Sequence, residues 1–295
     1  MDKIFSNKKA ICIFMAPGVI LFTVILLIPI VRAVYVSLCD WNALTPPKFI
    51  GFKNYIDLFQ NDPTMMIAIK NSLFFAIFSL ITQQILGLVL AVLLTNIKRG
   101  RNLFKNIYYL PCVLSSAALG LMFSFLLNPK MGLNQLLAVF GIQGPLWLMD
   151  VKGTIPLPMW VIGTVATWQY VGTTMMLYMS AISGISKSLY EASYMDGATK
   201  VQAFRYITMP LVKPMAKTTI LLTCIGSLKF FDLIYNMTQG GPNHKTEVLA
   251  THLYDQGFRF FKYGYASAIS IVLLVMCLVV TLLVNRFMHV EEYEM

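Results

Sequence analysis

Two clusters of polar and aromatic residues interrupt an otherwise apolar sequence. One holds Trp168, Gln169, Tyr170, Thr173 and Thr174; the other holds Thr223, Ser227, Lys229, Phe230, Phe231 and Asp232. Hydroxyls and amides both donate and accept hydrogen bonds, and flat rings offer apolar faces, so this mixture suits a polyhydroxylated solute such as a sugar. Polar side chains at membrane depth are functional candidates, although Ser and Thr also join transmembrane helices, and Trp and Tyr also anchor interfaces. Lys229 and Asp232 stand three apart and can share one helix face, either as an internal ion pair or as contacts for a bound sugar. A third polar stretch, residues 191–214 (EASYMDGATKVQAFRYITMPLVKP), carries Glu191, Asp196, Lys200, Arg205 and Lys213 between long apolar segments. Unpaired polar groups are costly in hydrocarbon, so this stretch belongs in water beside a membrane.

None of these clusters has the make-up of a catalytic site. The chain has no G-x-x-x-x-G-K-[ST] loop to cradle a phosphate and no H-E-x-x-H pair. His244, His252 and His289 stand apart in loops or at the end, and Cys12, Cys39, Cys112, Cys224 and Cys277 show neither disulfide nor metal spacing. No activated serine or cysteine pattern is present. The expectation is a protein with no catalytic residue, no metal site and no cofactor of its own.

The elements that position the clusters are membrane spans. Only 12% of the 295 residues are charged and 57% are hydrophobic, against about 25% charged in a soluble domain. Mean hydropathy is +0.69. The net charge of +10 comes from basic residues flanking apolar runs, which is a topology signal rather than a nucleic-acid signal. The reading is a single all-α membrane domain over 1–295 with six transmembrane helices, at about 10–38, 68–97, 107–127, 157–185, 214–234 and 265–287. Each approaches the roughly 20 apolar residues that cross a bilayer. The first run exceeds the roughly 7–15 apolar residues of a signal peptide, so it is expected to stay as an uncleaved span. Between spans, GFKNYIDLFQ is expected as a short surface helix after Pro46-Pro47, and a small interfacial helix is expected at 133–140.

With six spans, Lys3, Lys8, Lys9, Lys98, Arg99, Arg101, Lys105, Lys187, Lys200, Arg205, Lys213, Lys217 and Arg286 fall on one face, while the opposite loops mix both signs. The positive-inside rule makes that face cytoplasmic, with both termini and the segment 188–213. Locally, 189–195 can form one helix, and Asp196-Gly197 can turn the chain because Gly tolerates left-handed conformations. A second helix over 199–207 would carry Val201, Phe204 and Ile207 along one apolar stripe. Such a helix–turn–helix knob suits docking into a groove of another protein. A solvated connecting loop also fits its charges, but accounts less well for the spacing of Ala192, Ala198 and Ala203.

EASYMDGA followed by FRYITMP resembles the signature of permease subunits of binding-protein-dependent ABC importers, with Ser193 in place of an Ala and Met209 in place of a Leu. The resemblance implies a coupling helix pair between spans 4 and 5 that docks on a cytoplasmic ATPase. By that resemblance Tyr190, Glu191, Ala192, Met195, Asp196, Gly197, Ala198, Phe204 and Pro210 are the ATPase-coupling residues. FFDLIYNMTQGGPNHKTEVLATHLY at 230–254, YGYASAIS at 263–270, VSLCDWN and FIGFKNYIDLF are similar to the maltose-type sugar permease branch. In that branch Gln169, Tyr170, Thr173, Ser227 and Phe230 fall on sugar-binding positions, and Trp168, Thr223, Lys229 and Asp232 extend the candidate path. Gly240-Gly241-Pro242 is turn chemistry, and the resemblance places it where an external binding protein is met.

The function this implies is the transmembrane subunit of an ATP-driven importer of a sugar, expected to be an oligosaccharide, in the cell membrane. Its expected partners are a second, homologous permease forming a heterodimer, two cytoplasmic ATPase subunits that hold ATP and Mg, an extracytoplasmic sugar-binding protein and membrane lipid, with no nucleic acid. Two alternatives make different demands. An ABC permease for a solute such as glycerol phosphate would want several cations in its path, where only Lys229 is available. A secondary transporter would want intramembrane carboxylates or histidines, where only Asp232 lies near membrane depth.

Overall fold

The computed structural model describes residues 8–97 and 99–288; the topology readings on Lys3 and Lys98 and the one on His289 lie outside the described residues. The chain divides into two compact units, Met1–Asp62 with Leu253–Val272 and Pro63–His252 with Leu273–Met295.

In the first unit, helix α1 (Lys8–Phe22) runs through a wide turn at Thr23–Leu27 into α2 (Ile28–Ser37). Pro29 has no backbone N–H to give the preceding turn. The helix widens just before it, with Ile28 N–H bonding to the Thr23 carbonyl. Phe14, Ile25 and Val31 along this helix remain exposed, an apolar surface fit for lipid. Strands β1 (Cys39–Asp40) and β2 (Lys48–Phe49) then pair antiparallel, Cys39 opposite Phe49. Asn54, on the short helix α3 (Lys53–Ile56), pins this corner by donating to the carbonyls of Ser37 and Cys39 at 2.8 and 2.9 Å. Helical structure from Lys53 to Asn61 occupies the stretch expected as a surface helix.

The second unit is built on α4 (Pro63–Asn96), α5 (Arg101–Val113), α6 (Ser116–Leu126), α7 (Leu133–Val139) and α8 (Leu157–Ser183). It continues with α9 (Lys187–Met195), α10 (Lys200–Ala203), α11 (Met209–Leu211), α12 (Lys213–Leu228) and α13 (Asp232–Thr238). Lipid is as apolar as Leu, so helices in it associate through close packing and interhelical hydrogen bonds. Both are present. Gly172 of α8 abuts the Tyr108 carbonyl of α5, where any Cβ would collide with backbone. Thr82 and Thr167 join α4 to α8 through hydroxyls 2.7 Å apart. One buried cluster gathers Phe75, Met159, Ile162, Leu233 and Ile234; another gathers Leu94, Met175, Met179, Ile182 and Val212.

Among the described residues, four helical stretches are long and apolar enough to cross a membrane: Ile11–Ser37, Pro63–Asn96, Lys200–Thr238 and Tyr263–Phe287. A fifth follows if α5 and α6 count as one span. The straight span expected over 107–127 is instead bent by 91° between α5 and α6. Pro111 lies in the last turn of α5, and Leu114 and Ser115 adopt extended conformations. Gln169 Nε2 donates to the Leu114 carbonyl at the bend at 3.3 Å and to Ser116 Oγ at 3.0 Å. The helix expected at 157–185 forms as α8, 27 residues long, but its Thr, Gln and Tyr content leaves it outside the apolar set. The fifth expected span, 214–234, is interrupted: α12 ends at Leu228 and α13 starts at Asp232.

Candidate functional site

The polar clusters converge in the second unit on a cavity of about 220 Å³ between α4, α8 and α12. Tyr170 and Thr173 of α8, Thr223 and Ser227 of α12, and Phe230 just beyond it all line the cavity. Phe230 stacks on Phe75 at 4.9 Å and 21°, and meets Tyr170 edge-on at 5.9 Å and 82°. The result is a ring corner beside hydroxyls. Two of these groups are also held from outside: Tyr170 Oη lies 2.9 Å from Ser116 Oγ, and Thr173 Oγ1 lies 2.9 Å from Cys112 Sγ.

The other four candidates lie elsewhere. Trp168 is exposed and packs edge-on against Phe123. Gln169 is fully buried and engaged at the α5–α6 bend. Lys229 and Asp232 are both exposed. The helix breaks between them, so the shared face expected from their spacing does not exist, and among the described residues no ion pair joins them.

Among the cavity residues missed in the sequence are Phe75, Gln83 and Thr219. Gln83-Gln84 is a pair of amides in the middle of the second apolar run, and that is the signal that could have found them. Gln84 ties the three helices together. Its Oε1 accepts from Tyr178 Oη at 2.7 Å and Thr219 Oγ1 at 2.9 Å, and its Nε2 donates to Thr223 Oγ1 at 3.1 Å. Gln84 thus sets the positions of Thr219 and Thr223 in the cavity wall.

The polar stretch after α8 forms a helix–turn–helix. Ser186 caps α9, accepting from Ser188 N–H at 3.3 Å. The reversal is at Gly197, with φ +81°. An added Cβ there would meet nothing within 4 Å, so the glycine is required by conformation and not by space. Thr199 and Gln202 then form a reciprocal capping box at the start of α10. Tyr190 Oη lies 2.8 Å from Thr208 Oγ1, which locks the two arms together. Glu191, Ala192, Met195, Asp196 and Pro210 are exposed, while Tyr190, Ala198 and Phe204 are half-buried. Of the expected stripe, Phe204 and Ile207 are half-buried beside the buried Ala203 and Thr208, while Val201 is 73% exposed. Met195, Val201 and Tyr206 are each largely exposed.

The loop holding Gly240-Gly241-Pro242 is fastened to α4. Asn71 donates to the carbonyls of Lys245 and Glu247 at 2.9 and 2.8 Å, and Ser72 Oγ accepts from Leu249 N–H at 3.0 Å. Among the described residues the five cysteines are free, and no group of His, Cys, Asp or Glu is arranged to hold a metal.

A cavity of rings and hydroxyls between long helices and a locked helix–turn–helix thus belong to the same unit. A family model described as "Binding-protein-dependent transport system inner membrane component" matches residues 83–289, and the chain belongs to this family. It is 36% identical to the "Probable ABC transporter permease protein YurN" of Bacillus subtilis over 98% of this chain and 99% of that one. It is 33% identical to the lactose transport system permease protein LacF of Rhizobium radiobacter, over 92% and 91% of the two chains. Its fold matches a chain of a bacterial ABC transporter involved in the import of the acidic polysaccharide alginate, with a TM-score of 0.82 at 24% identity over 97% and 96% of the chains.

Proposed function

We propose that this chain is the membrane-spanning subunit of an ABC importer for a sugar, expected to be an oligosaccharide. The observation that carries the reading is the cavity itself, where Phe75, Tyr170 and Phe230 supply rings and Gln83, Thr173, Thr223 and Ser227 supply hydrogen-bonding groups. Among the described residues that line it there is no Lys, Arg, Asp or Glu. That disfavours a phosphate-bearing solute, which wants cations, and ion-coupled transport, which wants carboxylates. The lactose permease and the alginate transporter among the similar proteins also support a sugar.

Six spans fit this reading. At 1.5 Å per residue α8 is roughly 40 Å long, enough to cross about 30 Å of hydrocarbon. A helix that turns its polar groups into a protein cavity need not be apolar all round. With six spans both termini and the knob lie in the cytoplasm. The knob then docks on one of two partner ATPase subunits, which hold the ATP and Mg. Its exposed Met195 and Tyr206 supply apolar contact area, and Gly197 supplies the fixed reversal. Closure of the ATPase dimer pulls on α9 and α10, and α8 and α12 carry that displacement to the cavity wall. A second homologous permease completes the pathway, and an extracytoplasmic binding protein delivers the sugar at the outer loops. The test is reconstitution with these partners: sugar-loaded binding protein is expected to stimulate ATP hydrolysis and drive uptake, and uptake that proceeds without ATP would overturn the reading.

A further inference from the structure

A second, larger cavity of about 700 Å³ lies between the knob and the ends of α4 and α8. Arg101, Lys187 and Lys200 line it, and no carboxylate does. The two acids of the knob, Glu191 and Asp196, are exposed and lie outside its lining, and among the described residues none of the three cations has an ion-pair partner. Arg101 is half-buried and oriented by a 3.3 Å bond from one guanidinium nitrogen to Ser183 Oγ, which leaves its other N–H groups for a ligand.

Helix stability does not explain this arrangement. Lys187 is the first residue of the nine-residue helix α9, whose first turn has no acid. A cation there adds to the positive end of the helix dipole, where an isolated helix prefers an anion. The positive-inside rule accounts for basic residues beside the spans, and three of them, Arg101, Lys187 and Lys200, meet at this one cavity. The remaining wall mixes rings and aliphatic groups, among them Tyr190, Tyr194 and Ile182, with the hydrogen-bonding side chains of Thr95, Asn96, Ser183 and Thr208. Three cations together with rings and hydrogen-bonding groups in one cavity match an ester of phosphate, its anionic head met by Arg101, Lys187 and Lys200 and its organic part by the rings. We propose that this cavity is a binding site for a phosphate ester, presented either by an anionic lipid headgroup or by a soluble compound. Basic pockets between membrane helices commonly take such headgroups. The site is separate from the sugar cavity and does not depend on which solute is carried.

The test uses the full chain, purified from membranes with whatever subunits accompany it. Native mass spectrometry follows retention of cardiolipin, phosphatidylglycerol and zwitterionic phosphatidylcholine, and calorimetry follows inorganic phosphate. The expected result is retention of the anionic lipids over phosphatidylcholine, or saturable binding of phosphate; the first assigns the headgroup and the second a soluble ester. Affinity is expected to fall about fivefold for each cation removed, and roughly 100-fold in the Arg101→Gln/Lys187→Gln/Lys200→Gln variant. A variant with Arg205→Gln, Lys213→Gln and Lys217→Gln loses the same charge away from the cavity and is expected to bind normally. Lys187→Gln alone, at an exposed position, keeps the test valid if the triple variant fails to assemble. Binding of neither probe, or equal weakening in the control variant, overturns the proposal, whatever the sugar uptake measurements show.

Discussion

Replacing Gly197 by Ala isolates one physical term. The residue sits at φ +81°, and a Cβ there meets no atom within 4 Å, so the substitution adds strain and no collision. An L-residue held in the left-handed region costs about 1–2 kcal/mol. That is a factor of about 5–30 in the equilibrium between the locked knob and its alternatives. The relevant assay is sugar-stimulated ATP hydrolysis by the reconstituted complex, with co-purification of the ATPase as a measure of docking. Gly197→Ala is expected to weaken coupling by about 5–30-fold, with Gly197→Asn intermediate because Asn visits this region more readily. Gly18→Ala is the control. Its Cβ also meets nothing within 4 Å, but its backbone is helical, so wild-type coupling is expected. Wild-type coupling in Gly197→Ala, or equal loss in Gly18→Ala, would refute the reasoning.

Phe230→Ala removes the ring that stacks on Phe75 and meets Tyr170; sugar uptake is expected to show a KM raised roughly 2–10-fold, the span of an aromatic contact, while the binding protein's own affinity for sugar stays unchanged. Gln84→Leu leaves Tyr178, Thr219 and Thr223 without their shared partner. At roughly 0.6 kcal/mol for each interhelical hydrogen bond, three lost bonds predict a loss of about 2 kcal/mol, read as a lower thermal midpoint in detergent. Lys229→Ala alters an exposed cation outside the sugar cavity; uptake equal to wild type is expected, and a strong loss would place Lys229 on the path after all.

The parts of this molecule that were legible in sequence are those set by local chemistry. Asp196-Gly197 announced a reversal, and the reversal is there at Gly197. The spacing of Tyr170, Thr173, Thr223, Ser227 and Phe230 put polar groups on α8 and α12 that do meet in one cavity. The third wall was signalled only by the amide pair Gln83-Gln84 in a long apolar helix, and Gln84 gains its partners only where that helix packs against α8 and α12. The α5–α6 bend depends on Gln169, more than 50 residues from the carbonyl it satisfies. No window around Pro111 contains that contact, and the same contact takes Gln169 out of the sugar cavity. The pairing of Lys229 with Asp232 assumed an unbroken helix, and three non-helical residues remove it. Of the stripe through Val201, Phe204 and Ile207 do turn inward and only Val201, near the start of its helix, stays exposed.

The most direct measurement combines the two sites in one complex. With the partner permease, the ATPases and the binding protein in proteoliposomes, ATP hydrolysis and sugar uptake are measured together for wild type, Phe230→Ala and Gly197→Ala. The account predicts that wild type couples the two, that Phe230→Ala raises the sugar concentration needed for uptake while docking stays intact, and that Gly197→Ala depresses both through weaker docking. Sugar uptake that continues without ATP hydrolysis, or that is indifferent to both substitutions, would contradict it.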